Sequence, residues 1–314
     1  MRTEARRGVN AVRHALAAFG YQETINFGFV EARWEHELAG NADPIRVLNP
    51  IAAPLAVMRS SLIGGLIGVL RHNLARKTGR VRVFEVGRVF QRVAAAADGP
   101  LSVAGVHQPM RVAGLLYGPA DAPQWGRIEQ GVDFFDAKGD IEMLLSPLQA
   151  RFVTGAHPAL HPGRSALVML EDKAIGHVGE LHPRWRQAYE LPQAPVLFEL
   201  ALDAVLMRPV PAYRPVPRQQ AVWRDLALVV ADAVQHDALM AALRTDPTGL
   251  VRSATLFDVY KPGIPVAGMG SDERSLAVRL ELLDIETTLT EDRIDTAVTA
   301  AVARAAACGA RLRA

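Results

Sequence analysis

The alternating segments LVRSATLFDVY, residues 250–260, and SLAVRLEL, residues 275–282, decide the fold of the C-terminal third of this chain. Leucine or valine occupies every second position of the latter, a period that is typical of a strand with one buried face. Outward from these segments, the pattern predicts a strand at 224–230, helices at 236–244 and 290–307, and a last short strand at 310–314. The order β-α-β-β-α-β predicts a ferredoxin-like unit, in which two helices cover one face of four antiparallel strands and the other face is open.

A proline-rich segment separates this unit from the rest of the chain. RPVPAYRPVPRQQ, residues 208–220, has four prolines in 13 residues, which favours an extended and semi-rigid connector. We therefore expect a first domain at residues 1–207 and a second domain at residues 221–314.

The first domain mixes helical and strand patterns without a regular alternation. An apolar stripe along residues 62–74 predicts a helix that Ser60 or Ser61 caps. Further helices are expected at residues 9–19 and 134–148. Five segments have strand character: residues 81–90, 110–118, 165–170, 174–181 and 196–202. Strands separated by long excursions predict an α+β fold built around an antiparallel sheet.

Composition and charge exclude several classes of protein. The net charge of +2 is too small for a protein that binds nucleic acid by bulk electrostatics. The longest apolar run, residues 62–70, is shorter than the ~20 residues of a membrane-spanning helix, so no membrane partner is expected. A single cysteine, Cys308, excludes an internal disulfide and the usual cysteine-rich zinc sites, which indicates a reducing compartment, the cytoplasm.

Five strings, in order along the chain, carry a resemblance to a known family. They are VLNPIAAPLAVMRSSLIGGLIGVLRHNLARK (47–77), VRVFEVGRVF (81–90), VDFFDAKGDIEMLL (132–145), LHPGRSALVML with IGHVGELHP (160–183), and LFDVYKPG with RSLAVRLEL (256–282). Together they resemble the C-terminal portion of the β subunit of bacterial phenylalanyl-tRNA synthetase over essentially the whole chain. The tRNA-binding and editing modules upstream in that subunit have no counterpart here, so the chain is expected to be a fragment.

The resemblance implies a division of labour between the two domains. It implies that residues 1–207 form a catalytically inactive class II aminoacyl-tRNA synthetase-like domain, which scaffolds the catalytic α subunit in an (αβ)2 assembly. It also implies that residues 221–314 form a ferredoxin-fold anticodon-binding domain, whose partner is phenylalanine tRNA and not DNA. ATP and Mg²⁺ are then used by the complete phenylalanine-tRNA ligase, and no cofactor is expected in this chain.

The phosphate-binding residues of a class II synthetase are not evident in the first domain. That class holds ATP with an arginine two residues before an acid on a strand, and with a second arginine at the start of a glycine-rich helix. Arg82 and Glu85 lie three apart, so on a regular strand they face opposite sides of the sheet. In the glycine-rich segment 176–185, Arg184 lies beyond the glycines and Pro183 argues against a regular helix. No catalytic residue is therefore assigned.

Four histidines suggest an alternative, a free-standing enzyme that is either a self-sufficient class II ligase or a metal-dependent hydrolase. They are His157, His161, His177 and His182. The first two have the i, i+4 spacing of zinc ligands on a helix, but each precedes a proline, which pushes it out of the helical region. No acid lies between them to serve as general base. Bracing of loops is therefore favoured, and no metal site is assigned.

The open face of the second domain carries the candidate RNA site. Period two places Asp258, Tyr260 and Ser275 on this face, and the resemblance implies that these positions contact the first anticodon base, a guanine. The Tyr260 ring can stack on a splayed base, and the Asp258 carboxylate can accept the N1–H and N2–H of guanine together. The opposite face is expected to hold the core, to which Phe257 and Val259 are assigned.

Two alternatives apply to this face: it is a solvated surface, or it docks a protein, so that the chain is purely structural. The acidic pair Asp272 and Glu273 lies beside the proposed site and is expected to oppose phosphate. In the first domain, Gly64, Gly65 and Gly68 allow a close approach to their helix, either from within the domain or from the α subunit.

Overall fold

The computed structural model describes residues 4–99, 102–213, 216–263 and 268–313. The chain divides into two units, Met1–Pro211 and Ala212–Ala314, and the division lies within the proline-rich segment 208–220. In the part of the chain that the structure describes, no helix has the length and apolar character needed to cross a membrane.

A seven-stranded mixed sheet forms the centre of the first unit. The strands of this unit are β1 (Gln22–Glu23), β2 (Phe29–Val30), β3 (Val57–Met58), β4 (Val81–Arg88), β5 (Gln91–Arg92), β6 (Val106–His107), β7 (Met110–Tyr117), β8 (Ala150–Thr154), β9 (Leu160–Leu170), β10 (Lys173–Leu181) and β11 (Val196–Ala201). Seven of them pair in the order β1-β4-β7-β11-β10-β9-β8, while β2 pairs with β3 and β5 with β6. Strand β1 runs parallel to β4, and the other neighbours in the large sheet are antiparallel.

Helices cover both faces of this sheet. They are α1 (Val9–Ala18), α2 (Ala32–Trp34) with a π-helical continuation (Glu35–Ala39), α3 (Ile63–Leu74), α4 (Phe134–Leu145), α5 (Pro183–Ala188) and α6 (Leu202–Val205). Helices α1 and α4 pack with Phe84 and Phe198, whereas α3 packs on the opposite face with Val83 and Leu197. Successive side chains of a strand point to opposite faces, so β4 and β11 each supply residues to both layers.

Local sequence sets where the helices begin. The Ser61 Oγ accepts a hydrogen bond from the backbone N–H of Ile63 at 3.1 Å, in the manner of an N-cap. Asp133 and Asp136 form a capping box at the start of α4. Pro183 occupies the first turn of α5, where a missing N–H breaks no intrahelical bond. As expected, no helix runs through this proline: strand β10 precedes it, and α5 begins at it.

The glycines of α3 meet side chains of the same unit. A Cβ on Gly64 would lie 2.5 Å from the Trp34 ring, and one on Gly65 would lie 3.2 Å from Asn26. Both glycines therefore allow close packing within the first unit, which favours the first of the two alternatives for this helix.

The second unit has the predicted ferredoxin-like order of elements. They are β12 (Val222–Ala231), α7 (His236–Arg244), β13 (Val251–Tyr260), β14 (Glu273–Leu282), α8 (Glu291–Ala307) and β15 (Arg311–Leu312). The strands form an antiparallel sheet in the order β13-β14-β12-β15. Leu239 of α7 and Ala301 of α8 pack over Leu228 and Val278 of the sheet. The α+β fold predicted from the sequence is confirmed.

A β-bulge in β13 changes which side chains face the helices. Leu256 lies opposite Val278 and Asp258 lies opposite Ala277, so Phe257 is an inserted residue. Phe257 is 53% exposed and lies outside the core, so its assignment to the core is wrong.

Val259 is the second residue wrongly assigned to the core. It lies on the helix side of the sheet, opposite Leu276, and is nevertheless 53% exposed. Its exposure follows from its place near the end of β13, which is an edge strand.

Candidate nucleic-acid interface

Three rows of side chains cross the open face of the second unit. The rows, from β13 through β14 to β12, are Tyr260, Ser275 and Val229; Asp258, Ala277 and Ala227; and Thr255, Arg279 and Asp225. Residues paired across antiparallel strands point to the same face, so each row is continuous. The two alanines of the middle row leave a low surface beside Asp258, on which a planar ligand can lie.

Asp258 and Tyr260 are accessible from solvent. Asp258 is exposed and Tyr260 is 41% exposed. The neighbouring basic residues Lys261 and Arg279 form ion pairs with other aspartates, which leaves the Asp258 carboxylate available. The Cζ of Arg313 lies 4.9 Å from the centroid of the Tyr260 ring and brings a positive charge to this face.

Ser275 lies at the predicted position but is covered. It faces Tyr260 across the strands and is 4% exposed, and Val229 beside it is 1% exposed. Met269, in the connection between β13 and β14, is also buried. Arg311 donates a hydrogen bond to a backbone carbonyl of the same connection at 2.7 Å. This end of the face is therefore closed, contrary to the open surface that period two predicts.

The acidic pair beside the site is partly neutralised within the unit. Glu273 accepts hydrogen bonds from Arg311 at 2.5 and 2.8 Å, and another from the backbone N–H of Gly270. The Arg311 bonds, followed by the Gly270 bond, lower the pKa of Glu273 to about 2. Because Arg311 balances the charge of Glu273, this carboxylate repels phosphate less than the sequence predicts.

A second aromatic side chain, predicted from the sequence to lie in the core, lies on this face. The Cζ of Arg279 is 5.2 Å from the centroid of the Phe257 ring. The Nε and Nη2 of Arg279 each donate to a carboxylate oxygen of Asp225 at 2.7 Å. This bidentate pair lowers the pKa of Asp225 and raises that of Arg279. The only signal in the sequence is that LFDVY has an aromatic on each side of its aspartate.

In the first unit, Arg82 and Glu85 belong to separate ion pairs on opposite faces of the sheet. Arg82 lies 3.4 Å from Asp140 of α4, whereas Glu85 lies 2.7 Å from Arg59 on the α3 side. The side chains of the Arg59–Glu85 pair are only 7% and 3% exposed. Arg59 and Arg82 therefore both form ion pairs inside the unit. Arg82 and Glu85 lie on opposite faces of the sheet, as their separation of three residues along a strand predicts.

Three polar side chains lie in one row across the α3 side of the sheet. From β4 to β10 they are Glu85, Glu199 and His177, with Ala113 between the two glutamates. Ser61 donates to Glu199 at 2.5 Å, and burial raises the pKa of this carboxyl above its usual value. Glu199 thereby connects the start of α3 to the sheet.

Both units match family models. Residues 1–202 match the family described as "Phenylalanyl tRNA synthetase beta chain CLM domain", and residues 217–313 match "Ferredoxin-fold anticodon binding domain". The chain belongs to the phenylalanyl-tRNA synthetase β-chain family. The resemblance seen in the sequence is thereby confirmed, and the first unit corresponds to the CLM domain of that family.

Curated relatives of the family agree over nearly the whole chain. Proteins named phenylalanine–tRNA ligase β subunit are 54% identical in Ralstonia nicotianae, 53% in Cupriavidus pinatubonensis and 50% in Burkholderia lata, each over 99% of this chain. The chain spans 39% of the length of each of these relatives. A solved structure of a pyrrolysyl-tRNA synthetase, PylSc of Desulfitobacterium hafniense, aligns with a TM-score of 0.43 and 12% identity over 64% of this chain and 66% of its own.

The four histidines of this β-chain family member have structural contacts. The Nδ1 of His157, His161 and His182 each accepts the backbone N–H two residues further on, at 3.3, 3.0 and 3.1 Å. Each of these histidines precedes a proline, and the bond fixes the turn as an Asx residue would. His177 packs on His157, with ring centroids 4.7 Å apart. Within the described residues no three potential metal ligands cluster.

Burial favours the neutral form of both His157 and His177. Burial, and secondarily the charge of His177, lowers the pKa of His157 to about 4. Burial and then Arg111 lower the pKa of His177. Neutral, packed imidazoles brace this part of the sheet, and the relatives give no support to the alternative of a free-standing enzyme.

Proposed function

We propose that the second unit binds the anticodon of phenylalanine tRNA, with Asp258 and Tyr260 at the centre of the site. One observation carries the proposal: an accessible aspartate and tyrosine stand on an open sheet face, in a unit that matches a family model for anticodon binding. The low alanine surface beside Asp258 leaves room for a base and its ribose.

The two side chains supply affinity and discrimination separately. Stacking on an aromatic ring contributes ~1–3 kcal/mol per base and tolerates every base, because each base has a π-face. The Asp258 carboxylate accepts two hydrogen bonds from the N1–H and N2–H of guanine, whereas adenine presents a lone pair at N1. The site therefore prefers guanine at the first anticodon position.

Ser275 belongs to the proposed site as the residue that faces Tyr260 across the strands. Because it is 4% exposed, it supports the surface next to the ring. Direct contact of its hydroxyl with a base requires this end of the face to open.

The first unit, in this proposal, scaffolds a catalytic α subunit in an (αβ)2 assembly and does not activate the amino acid. Arg59 and Arg82 are both occupied by carboxylates, so neither is presented to a nucleotide phosphate. Ile25, Phe27 and Leu48 are 93%, 69% and 97% exposed and supply apolar surface for a subunit interface. ATP and Mg²⁺ are then used by the complete ligase in the cytoplasm, outside this chain.

The tRNA-binding proposal is tested with Tyr260→Ala and the matched variant Tyr213→Ala, whose tyrosine is 89% exposed in the connecting segment. Labelled phenylalanine tRNA is titrated against the chain in complex with the α subunit, since several surfaces act together in such an assembly. Loss of one stacking contact should weaken binding about 5- to 150-fold for Tyr260→Ala. Equal affinity of the two variants would remove Tyr260 from the site.

The scaffolding proposal is tested by co-purification with the α subunit and by ATP–pyrophosphate exchange with phenylalanine. The chain alone should support no exchange, and the reconstituted complex should. Robust exchange by the chain without an α subunit would overturn the proposed division of labour.

A further inference from the structure

We propose that Phe257 and Arg279 form a second nucleotide subsite, which takes a base adjacent to the one that stacks on Tyr260. This proposal rests on the proposed function and adds a stacking position to the same site. The bulge is the reason for it: Phe257, Asp258 and Tyr260 all point to the open face within four consecutive residues. A regular strand of the same length presents two side chains there.

The positions of Phe257 and Tyr260 along β13 suit consecutive nucleotides of a splayed single strand. Phe257 and Asp258 together oppose Ala277, and Tyr260 opposes Ser275, two residues away on β14. Two residues of a strand span ~7 Å, since each rises by ~3.4 Å. That distance is about twice the ~3.4 Å between nucleotides stacked along one strand of a duplex. The two bases therefore do not stack on each other, and each meets its own ring.

The guanidinium group of Arg279 is held in an orientation that allows a base to stack on it. Asp225 binds two of its donors in a bidentate pair, which balances its charge and fixes the orientation of the guanidinium plane. The side chains of Arg279 and Phe257 are each 53% exposed. A fixed, compensated guanidinium beside an exposed ring offers flat area for a base, and this recognition tolerates either a purine or a pyrimidine.

The test uses the full chain and a fluorescently labelled anticodon stem-loop of phenylalanine tRNA, followed by anisotropy. Phe257→Ala should weaken binding about 5- to 150-fold, the range expected for one base–aromatic stack. Val259→Ala is the matched control, because Val259 has the same exposure on the same strand but points to the helix side. It should bind as the wild type does, and thermal unfolding of both variants verifies that they are folded.

Two further RNAs locate the contact. Each lacks the base at one of the two positions that flank the first anticodon nucleotide. One of these abasic RNAs should bind the wild-type chain as weakly as the intact RNA binds the Phe257→Ala variant. For that abasic RNA, Phe257→Ala should cause no further loss of affinity. If Phe257→Ala weakens the intact RNA and both of the abasic RNAs equally, the ring stacks on neither base and the subsite is overturned.

Arg279→Lys distinguishes stacking from a phosphate contact. The variant keeps the charge and loses the plane, so it should weaken binding while the slope of log K against log salt stays unchanged. Full binding by Arg279→Lys would overturn the stacking role of the pair.

The two proposals fail in different ways. If Tyr260→Ala weakens binding and Phe257→Ala behaves like Val259→Ala, the anticodon site stands and the second subsite is overturned. If only Phe257→Ala weakens binding, the subsite stands and the stacking role of Tyr260 fails. If no variant changes RNA binding, both proposals fail.

Discussion

Replacement of Arg59 by methionine should destabilise the first unit strongly. The variant retains much of the side-chain volume but leaves Glu85, 3% exposed, with Asn26 at 2.7 Å as its remaining side-chain partner. Removal of one partner from a buried ion pair costs ~3–5 kcal/mol, because the other charge is left buried without compensation. Arg59 also donates to the Arg88 carbonyl at 3.0 Å, and that bond is lost too.

Urea denaturation measures the effect. With an m-value of ~3 kcal/mol/M, a loss of ~3–5 kcal/mol lowers the midpoint by about 1–1.7 M. Tryptophan fluorescence reports on the first unit when Trp223, the tryptophan of the second unit, is replaced by phenylalanine. Arg127→Met is the matched control, because its pair with Asp121 is 66% and 54% exposed and contributes at most ~1 kcal/mol. Equal midpoints for the two methionine variants would refute the argument from burial.

A double variant separates charge from packing. Arg59→Met with Glu85→Leu leaves no unpaired charge, and such apolar replacements of buried pairs are often neutral or stabilising. We expect it to recover most of the loss that Arg59→Met causes. A double variant as unstable as the single one would show that packing, and not the stranded carboxylate, sets the cost.

Three further variants test local contacts. His157→Asn keeps an acceptor for the Ala159 N–H but cannot be charged. The depressed pKa of His157 gives stability that is present above pH 6.5 and lost as pH falls to about 4, so the variant should show a shallower acid loss in urea melts across this range. Gly64→Ala would place a Cβ 2.5 Å from the Trp34 ring and should cost ~1–3 kcal/mol. Gly139→Ala in α4, with nothing within 4 Å of its Cβ, should stabilise by up to ~1 kcal/mol, and similar responses of the two glycine variants would contradict the close contact.

The sequence predicts best those strands that are buried either on one face or on both faces of their sheet. The strand predicted at 275–282 lies within Glu273–Leu282, and the strand predicted at 250–260 agrees with Val251–Tyr260 to one residue. Strict alternation marks the former because its other face is polar. In the first unit, β4 and β11 have apolar residues on both faces, because helices cover both sides of the sheet there.

The features that the sequence does not reveal depend on distant parts of the chain. Strand β8, Ala150–Thr154, was not predicted, since ARFVT lacks a strong period and pairs only at the sheet edge. At the end of the open face where Ser275 is 4% exposed, Arg311 donates a hydrogen bond to the connection between β13 and β14. This long-range contact leaves no local signal in the sequence.

The bulge at Phe257 explains why the candidate site exists on the open face. Before the bulge, Ala254 and Leu256 pack into the core, opposite Leu280 and Val278. Continuation of that parity would turn residues 258 and 260 toward the helices, because a shift of one residue moves every later side chain to the other face. The inserted phenylalanine reverses the parity, so that an aspartate and a tyrosine face outward while apolar residues nearer the strand start remain buried. The same residue that makes the proposed anticodon site accessible therefore also supplies its second ring.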